Sequence, residues 1–232
     1  MIDHVHDLAA VREATDRLLS AIGELDNAAV AEPSRLPGWT RGHLLAHLAR
    51  NADALVNVLE GRPMYVSGEA READIERDAP RPLDVQLADL RDSSARFLRT
   101  ADVPADWSRT IEMRNGVTDS AARVPFRRLV EVELHHVDLG VGYELTDLSD
   151  EFTAREIEFL TERFTGNPGV PALRLEATDA QHGGKQWSTG RLEGEPVSVS
   201  GPAAALMGWL AGRCDGSELD TGGAPLPALP PL

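Results

Sequence analysis

Apolar side chains recur every three or four positions at the start of the chain, with Val5, Leu8, Val11, Leu18, Leu19 and Ile22 in register. That period predicts a helix over residues 3 to 25, broken at Asp26-Asn27. Pro33 to Gly38 reads as a connection. Thr40 is placed to cap a second helix that runs to about Glu60 and stops at Gly61 and Pro63. From 62 to 81 the period fails, with Pro63, Gly68 and Pro80 interrupting a polar stretch that holds Arg71, Glu72, Asp74 and Arg77. This predicts an irregular segment, and a loop of that length inside a compact domain is often functional. Helical spacing returns with Val85, Leu87, Leu90, Ala95 and Leu98. After the stretch from Trp107 to Gly116, Pro125 opens a further helix to about Val141, and Asp150 is placed to cap another from Glu151 to Phe164.

Beyond Pro168 the period becomes two. Leu173 to Thr178 and Pro196 to Ser200 alternate, Gly183-Gly184 and Gly190 mark turns, and a last helix follows from Pro202 to about Gly212. The expected fold class is therefore α + α/β: a helical bundle over 1–165 and a small α/β domain over 166–232. The proline-rich end from Pro225 is expected to be extended.

Composition narrows the function. With 42% hydrophobic and 26% charged residues the chain has material for a core, while a net charge of -15 opposes nucleic acid and anionic membrane. No nucleic-acid or membrane partner is expected, and the predicted state is a monomer or weak homodimer. The single cysteine, Cys214, rules out an intrachain disulfide, which fits the reducing cytoplasm. The acidic residues among the first 25 argue against a secretory leader, and no apolar run reaches the roughly 18 to 20 residues of a membrane span.

Two helical segments carry metal-ligand chemistry: Gly42 to Leu48, with His43 and His47, and Glu131 to Leu139, with His135, His136 and Asp138. One histidine of the first with Glu131 and His135 of the second supplies three ligands and an open fourth position, the layout of a catalytic rather than a structural zinc site. On a wheel of about 100° per residue His47 borders the apolar stripe of its helix and His43 lies farther from it, which favours His47. Glu131 and His135 are four residues apart, hence on one helical face. Boundary histidines with satisfied hydrogen bonds remain an alternative, as does an exposed Glu-His pair, since Arg128 and Asp138 share that stripe. Asp74, Glu76 and Asp78 read as a solvated face. Arg71 and Arg213 are candidate carboxylate binders, with surface salt bridges as the alternative for each taken alone, and Cys214 reads as a small hydrophobe rather than a nucleophile. Gly183-Gly184-Lys185 is a turn, not a phosphate loop.

Gly38 to His47, Met64 to Ser67 with Glu69-Ala70-Arg71, Glu131 to His135 with Val137 to Gly140, and Ala211-Gly212-Arg213 together resemble the mycothiol-dependent maleylpyruvate isomerases of the DinB-like zinc bundle superfamily. The resemblance implies an N-terminal DinB-like four-helix bundle, zinc or another divalent metal on His47, Glu131 and His135, and functional arginines at Arg71 and Arg213. It also implies mycothiol as cofactor and an unsaturated dicarboxylate as substrate. The reaction it implies is conversion of maleylpyruvate to fumarylpyruvate by reversible thiolate addition, as in aromatic degradation of the gentisate type. A mycothiol-dependent S-transferase and a non-catalytic metal-binding bundle are the alternatives.

Overall fold

Asp3 starts the first helix by accepting hydrogen bonds from the backbone N–H groups of Val5 and His6 at 3.2 and 3.1 Å, so that α1 spans His4–Gly23. The computed structural model describes residues 2–103 and 105–231. These divide into two compact units, Met1–Tyr143 and Glu144–Leu232.

In the first unit a 3-10 turn, Asn27–Ala31, leads to α2, Arg41–Leu59. Thr40 caps α2 reciprocally: its hydroxyl accepts from the His43 N–H, and His43 Nδ1 accepts from the Thr40 N–H at 3.2 Å. Gly42 is obligatory there, because a Cβ would lie 2.1 Å from the carbonyl oxygen of Ala79. Residues 62 to 81 depart from the irregular segment expected. They contain α3, Gly68–Asp78, capped by the Ser67 hydroxyl. Only Ile75 and Asp78 of α3 are buried, so it has almost no apolar period to detect. Asp78 is not solvated either: it is 1% exposed and takes charge-assisted hydrogen bonds from Arg77 and Arg81.

Helix α4 spans Leu83–Ala101, and a hairpin of β1, Thr110–Glu112, and β2, Thr118–Ser120, precedes α5, Val124–Asp138. Pro125 sits in the first turn of α5, where its missing N–H costs nothing. Helix α2 packs on α4 and α5, and α1 packs on α5 and α4, which closes a four-helix bundle with α3 beside α2. Leu18, Ile22, Leu44, Leu48, Leu55, Leu90, Phe97 and Val132 fill its core, each fully buried. Burial of one such side chain stabilises the fold by about 1.5 to 3 kcal/mol.

The second unit begins before residue 165, where the sequence alone suggested a division, because α6, Asp150–Phe164, packs with the C-terminal elements. Ser149, one residue earlier than expected, caps α6 by accepting from the Phe152 N–H. The sheet has the order β4-β3-β5, where β3 is Leu173–Ala177, β4 Gln186–Thr189 and β5 Val197–Gly201. Strand β3 is antiparallel to β4 and parallel to β5. Helix α7, Ala203–Leu210, lies against α6, β3 and β5, and the core holds Ile157, Leu175, Val199, Leu206 and Met207. Among the described residues no helix is long and apolar enough to cross a membrane.

Candidate metal centre

Helix α2 resolves the choice between its two histidines. His43 is spent on the cap, with Nδ1 2.7 Å from the Thr40 hydroxyl and Nε2 3.5 Å from Glu76. His47, one turn on, is 6% exposed and faces α5. Its Nε2 lies 2.9 Å from Glu131 Oε2, and His135 Nε2 lies 3.3 Å from the same oxygen. The two imidazoles meet edge to face, with centroids 4.8 Å apart. One ligand atom from each of His47, Glu131 and His135 lies within 4.8 Å of the others, which suits convergence on a single cation.

Neighbouring groups orient each ligand. Asp138, one turn along α5, accepts from His135 Nδ1 at 2.8 Å, directing Nε2 toward Glu131. Arg71, delivered by the first turn of α3, places Nη2 3.0 Å from His47 Nδ1. Since a guanidinium only donates, His47 Nδ1 accepts and its Nε2–H points to Glu131. Arg71 also pairs with Glu72 and sits 5.8 Å from the Tyr65 ring.

Arg128 is fully buried and ties α5 to its neighbours, donating to the Leu48 carbonyl and Asn51 Oδ1 at 2.9 Å each and to Ser94 Oγ at 3.3 Å. Burial lowers its pKa to about 10, which still leaves it protonated near neutrality. Arg128 and Asp138 share the stripe with Glu131 and His135, and in sequence they argued for an exposed face. Both are fully buried, so the stripe faces the bundle interior except at Glu131, whose side chain is 32% exposed.

Electrostatics separates the two imidazoles. Burial dominates at His47 and lowers its pKa despite Glu131 beside it. At His135 burial also pulls downward, but the Asp138 and Glu131 carboxylates, one on each ring nitrogen, outweigh it and raise the pKa. Burial would raise Glu131, yet hydrogen bonds from His135 and His47 hold it well below the ordinary carboxylate value. The centre thus offers an anionic oxygen between two imidazoles, a donor set suited to zinc and other borderline divalent ions. Tyr65, whose pKa is raised by burial and by Glu131, stands beside Arg71.

Of the other sequence candidates, Arg213 lies in the second unit just after α7, where it donates to the Ala211 carbonyl at 2.6 Å. Cys214 is half-buried, its thiol bonds the Ala205 carbonyl at 3.6 Å, and burial raises its pKa, all of which argue against a nucleophile. Sequence reasoning missed the role of Asp138 in orienting His135 and that of Arg128 in tying α5 to its neighbours. The His-x-x-Asp spacing of 135 and 138 was the available signal for the first.

Residues 11–140 match the mycothiol maleylpyruvate isomerase N-terminal domain family, and residues 147–231 match the MDMPI C-terminal domain family. Among solved structures, the chain is similar to a crystal structure of the mycothiol-dependent maleylpyruvate isomerase, with 27% identity and a TM-score of 0.88 over 99% of this chain and 97% of that one. A histidine-to-alanine mutant of the mycothiol-dependent maleylpyruvate isomerase aligns with the same TM-score and coverage at 26% identity. No curated protein matches the chain. Matched along both units, the chain belongs to the mycothiol maleylpyruvate isomerase family.

Proposed function

We propose that this protein is a metal- and mycothiol-dependent cis–trans isomerase acting on maleylpyruvate, with His47, Glu131 and His135 as ligands and zinc as the first choice of ion. The observation that carries this reading is the convergence of those three side chains from two helices within 4.8 Å. When bound, the ion and mycothiol supply a Lewis acid and a thiol held as thiolate, the nucleophile that adds to a conjugated double bond and leaves after rotation.

The chain's own residues prepare that chemistry. In the neutral His135 ring Asp138 keeps the single proton on Nδ1, so that once the proton shared with Glu131 has left, Nε2 presents a lone pair to a cation. Glu131 stays ionised because two imidazoles face it. His47 can ligate through Nε2 only with its proton on Nδ1, where Arg71 has nothing to donate to. Arg71 then turns from the ring and becomes available to a substrate carboxylate or a developing enolate oxygen. Arg213 is assigned a second carboxylate contact, on the family resemblance and on the fit of guanidinium to carboxylate.

Elemental analysis combined with a mycothiol-dependent maleylpyruvate assay tests this. Wild type is expected to carry stoichiometric zinc and turn over, His47→Ala to lose metal and activity together, and Arg213→Ala to keep the metal and lose turnover. Full metal occupancy in His47→Ala would contradict the ligand set.

A further inference from the structure

The two histidines of the centre are not held alike. Asp138 accepts from His135 Nδ1 at 2.8 Å and fixes the orientation of that ring. At His47 the partner of Nδ1 is the Arg71 guanidinium, at 3.0 Å, which only donates. Ligation through Nε2 puts the proton on Nδ1 and turns that contact from attractive to repulsive. Among the described residues no acceptor stands at His47 Nδ1 in the way Asp138 stands at His135. A metal-bound histidine ordinarily donates its second N–H to a carboxylate or carbonyl, so at His47 the orientation of the ligating ring falls to packing.

Trp39 supplies that packing. Its half-buried indole lies 5.5 Å from the His47 ring, centroid to centroid, at a tilt of 59°, and 6.1 Å from His43, nearly parallel at 24°. Both distances fall where aromatic pairs attract. The two histidines are one turn of α2 apart, so the indole bridges that turn, and His43 is pinned at the helix cap, 2.7 Å from the Thr40 hydroxyl. The backbone of Trp39 is fixed as well. Its carbonyl accepts from the Ser34 N–H at 2.9 Å and the Ser34 hydroxyl at 2.8 Å, and its N–H donates to the Leu36 carbonyl at 3.1 Å. We propose that Trp39 is a positioning residue of the metal centre: braced on His43, its indole fixes the plane of the His47 imidazole, so that Nε2 stays aimed at the cation while Nδ1 carries the proton. The inference rests on the ligand set proposed above.

Chelator competition with zinc on the metal-free full-length protein tests it, together with the visible spectrum of the cobalt-loaded protein, which reads the geometry of the ligands. Trp39→Leu, which keeps apolar bulk without a ring, is expected to weaken zinc binding about tenfold and to alter the cobalt bands. Trp39→Phe restores a ring face and is expected to stay within about threefold of wild type with the cobalt bands unchanged. Trp107→Phe, at a tryptophan that stacks on His4 instead, should match wild type in both. Urea unfolding of the metal-free forms checks that each variant is folded, and Trp39→Met replaces Trp39→Leu if the latter is not. Wild-type affinity and cobalt bands in the ringless variant overturn the inference, as does an equal loss of affinity in Trp39→Phe. Failure of wild type to bind zinc sinks the ligand set itself.

Discussion

Glu131 and His135 look from α5 across to α2, whereas Glu133 and His136, on the same helix, look toward α1 and Tyr143. The residue types match, but the outcomes diverge. On the first face the carboxylate meets two imidazoles and is held well below its usual pKa. On the second, Glu133 accepts from Arg17 at 2.6 Å and from the Tyr143 hydroxyl at 3.0 Å, yet burial dominates and raises its pKa. His135 has Asp138 at 2.8 Å, while neither nitrogen of His136 has a hydrogen-bond partner among the described residues. The His136 ring stacks instead on Tyr143 with centroids 4.1 Å apart. A Glu and a His on this helix thus become a ligand set where the opposing helix supplies a further imidazole, His47. Facing a guanidinium and a phenol, they become part of the packing.

The contrast breaks most visibly in metal affinity. Glu131→Gln is expected to weaken zinc binding by at least about 100-fold, beyond the range for loss of an outer partner, while Glu133→Gln leaves it unchanged. A chelator-competition titration reads both, and equal loss in the two variants would erase the distinction between the faces.

Acid stability sharpens it next. Burial lowers the His136 pKa from 6.5 to about 4, so the folded protein stays unprotonated there while the unfolded chain takes up a proton. Stability from this group is complete above pH 6.5 and falls as pH drops toward about 4, by about 3 kcal/mol in total. His136→Phe should remove that part of the acid loss. Denaturant unfolding of wild type and variant between pH 7 and 4 measures the difference, and parallel profiles would contradict the assignment. The smallest effect belongs to the Arg17–Glu133 pair. Arg17 is 46% exposed, and the pair is discounted accordingly, so Glu133→Gln should shift unfolding stability at pH 7 by less than about 1 kcal/mol. A shift of several kcal/mol would mean that this face is more than packing.

The helices that build the bundle were legible for two reasons: α1 and α4 bury one stripe at three- and four-residue spacing, whereas α2 and α5, buried on most sides, announce themselves by Thr40 at the cap and Pro125 in the first turn. Helix α3 was not, since with only Ile75 and Asp78 buried it follows from the Ser67 cap and from charge pairing rather than from apolar period. The three-residue strands β1 and β2 are too short for alternation to register. At the centre, the wheel singled out His47 because it borders the apolar stripe, and i, i+4 spacing paired Glu131 with His135. Arg128 and Asp138 kept an exposed stripe open as an alternative, because a charged residue on a stripe signals solvent unless its partners are known. Those partners, the Leu48 carbonyl, Asn51 and Ser94 for Arg128, lie on other helices.

The missing side chain at residue 42 has a reach well beyond its own turn of helix. Because the Ala79 carbonyl rests where a Cβ would stand, even a single methyl group added there must push the end of α3 away from α2. Helix α3 also carries Arg71, so the lever would carry that guanidinium away from the centre, out of reach of a substrate carboxylate, while leaving every metal ligand chemically intact. A change as slight as Gly42→Ala can therefore disarm the centre from the outside, through the seating of a neighbouring helix.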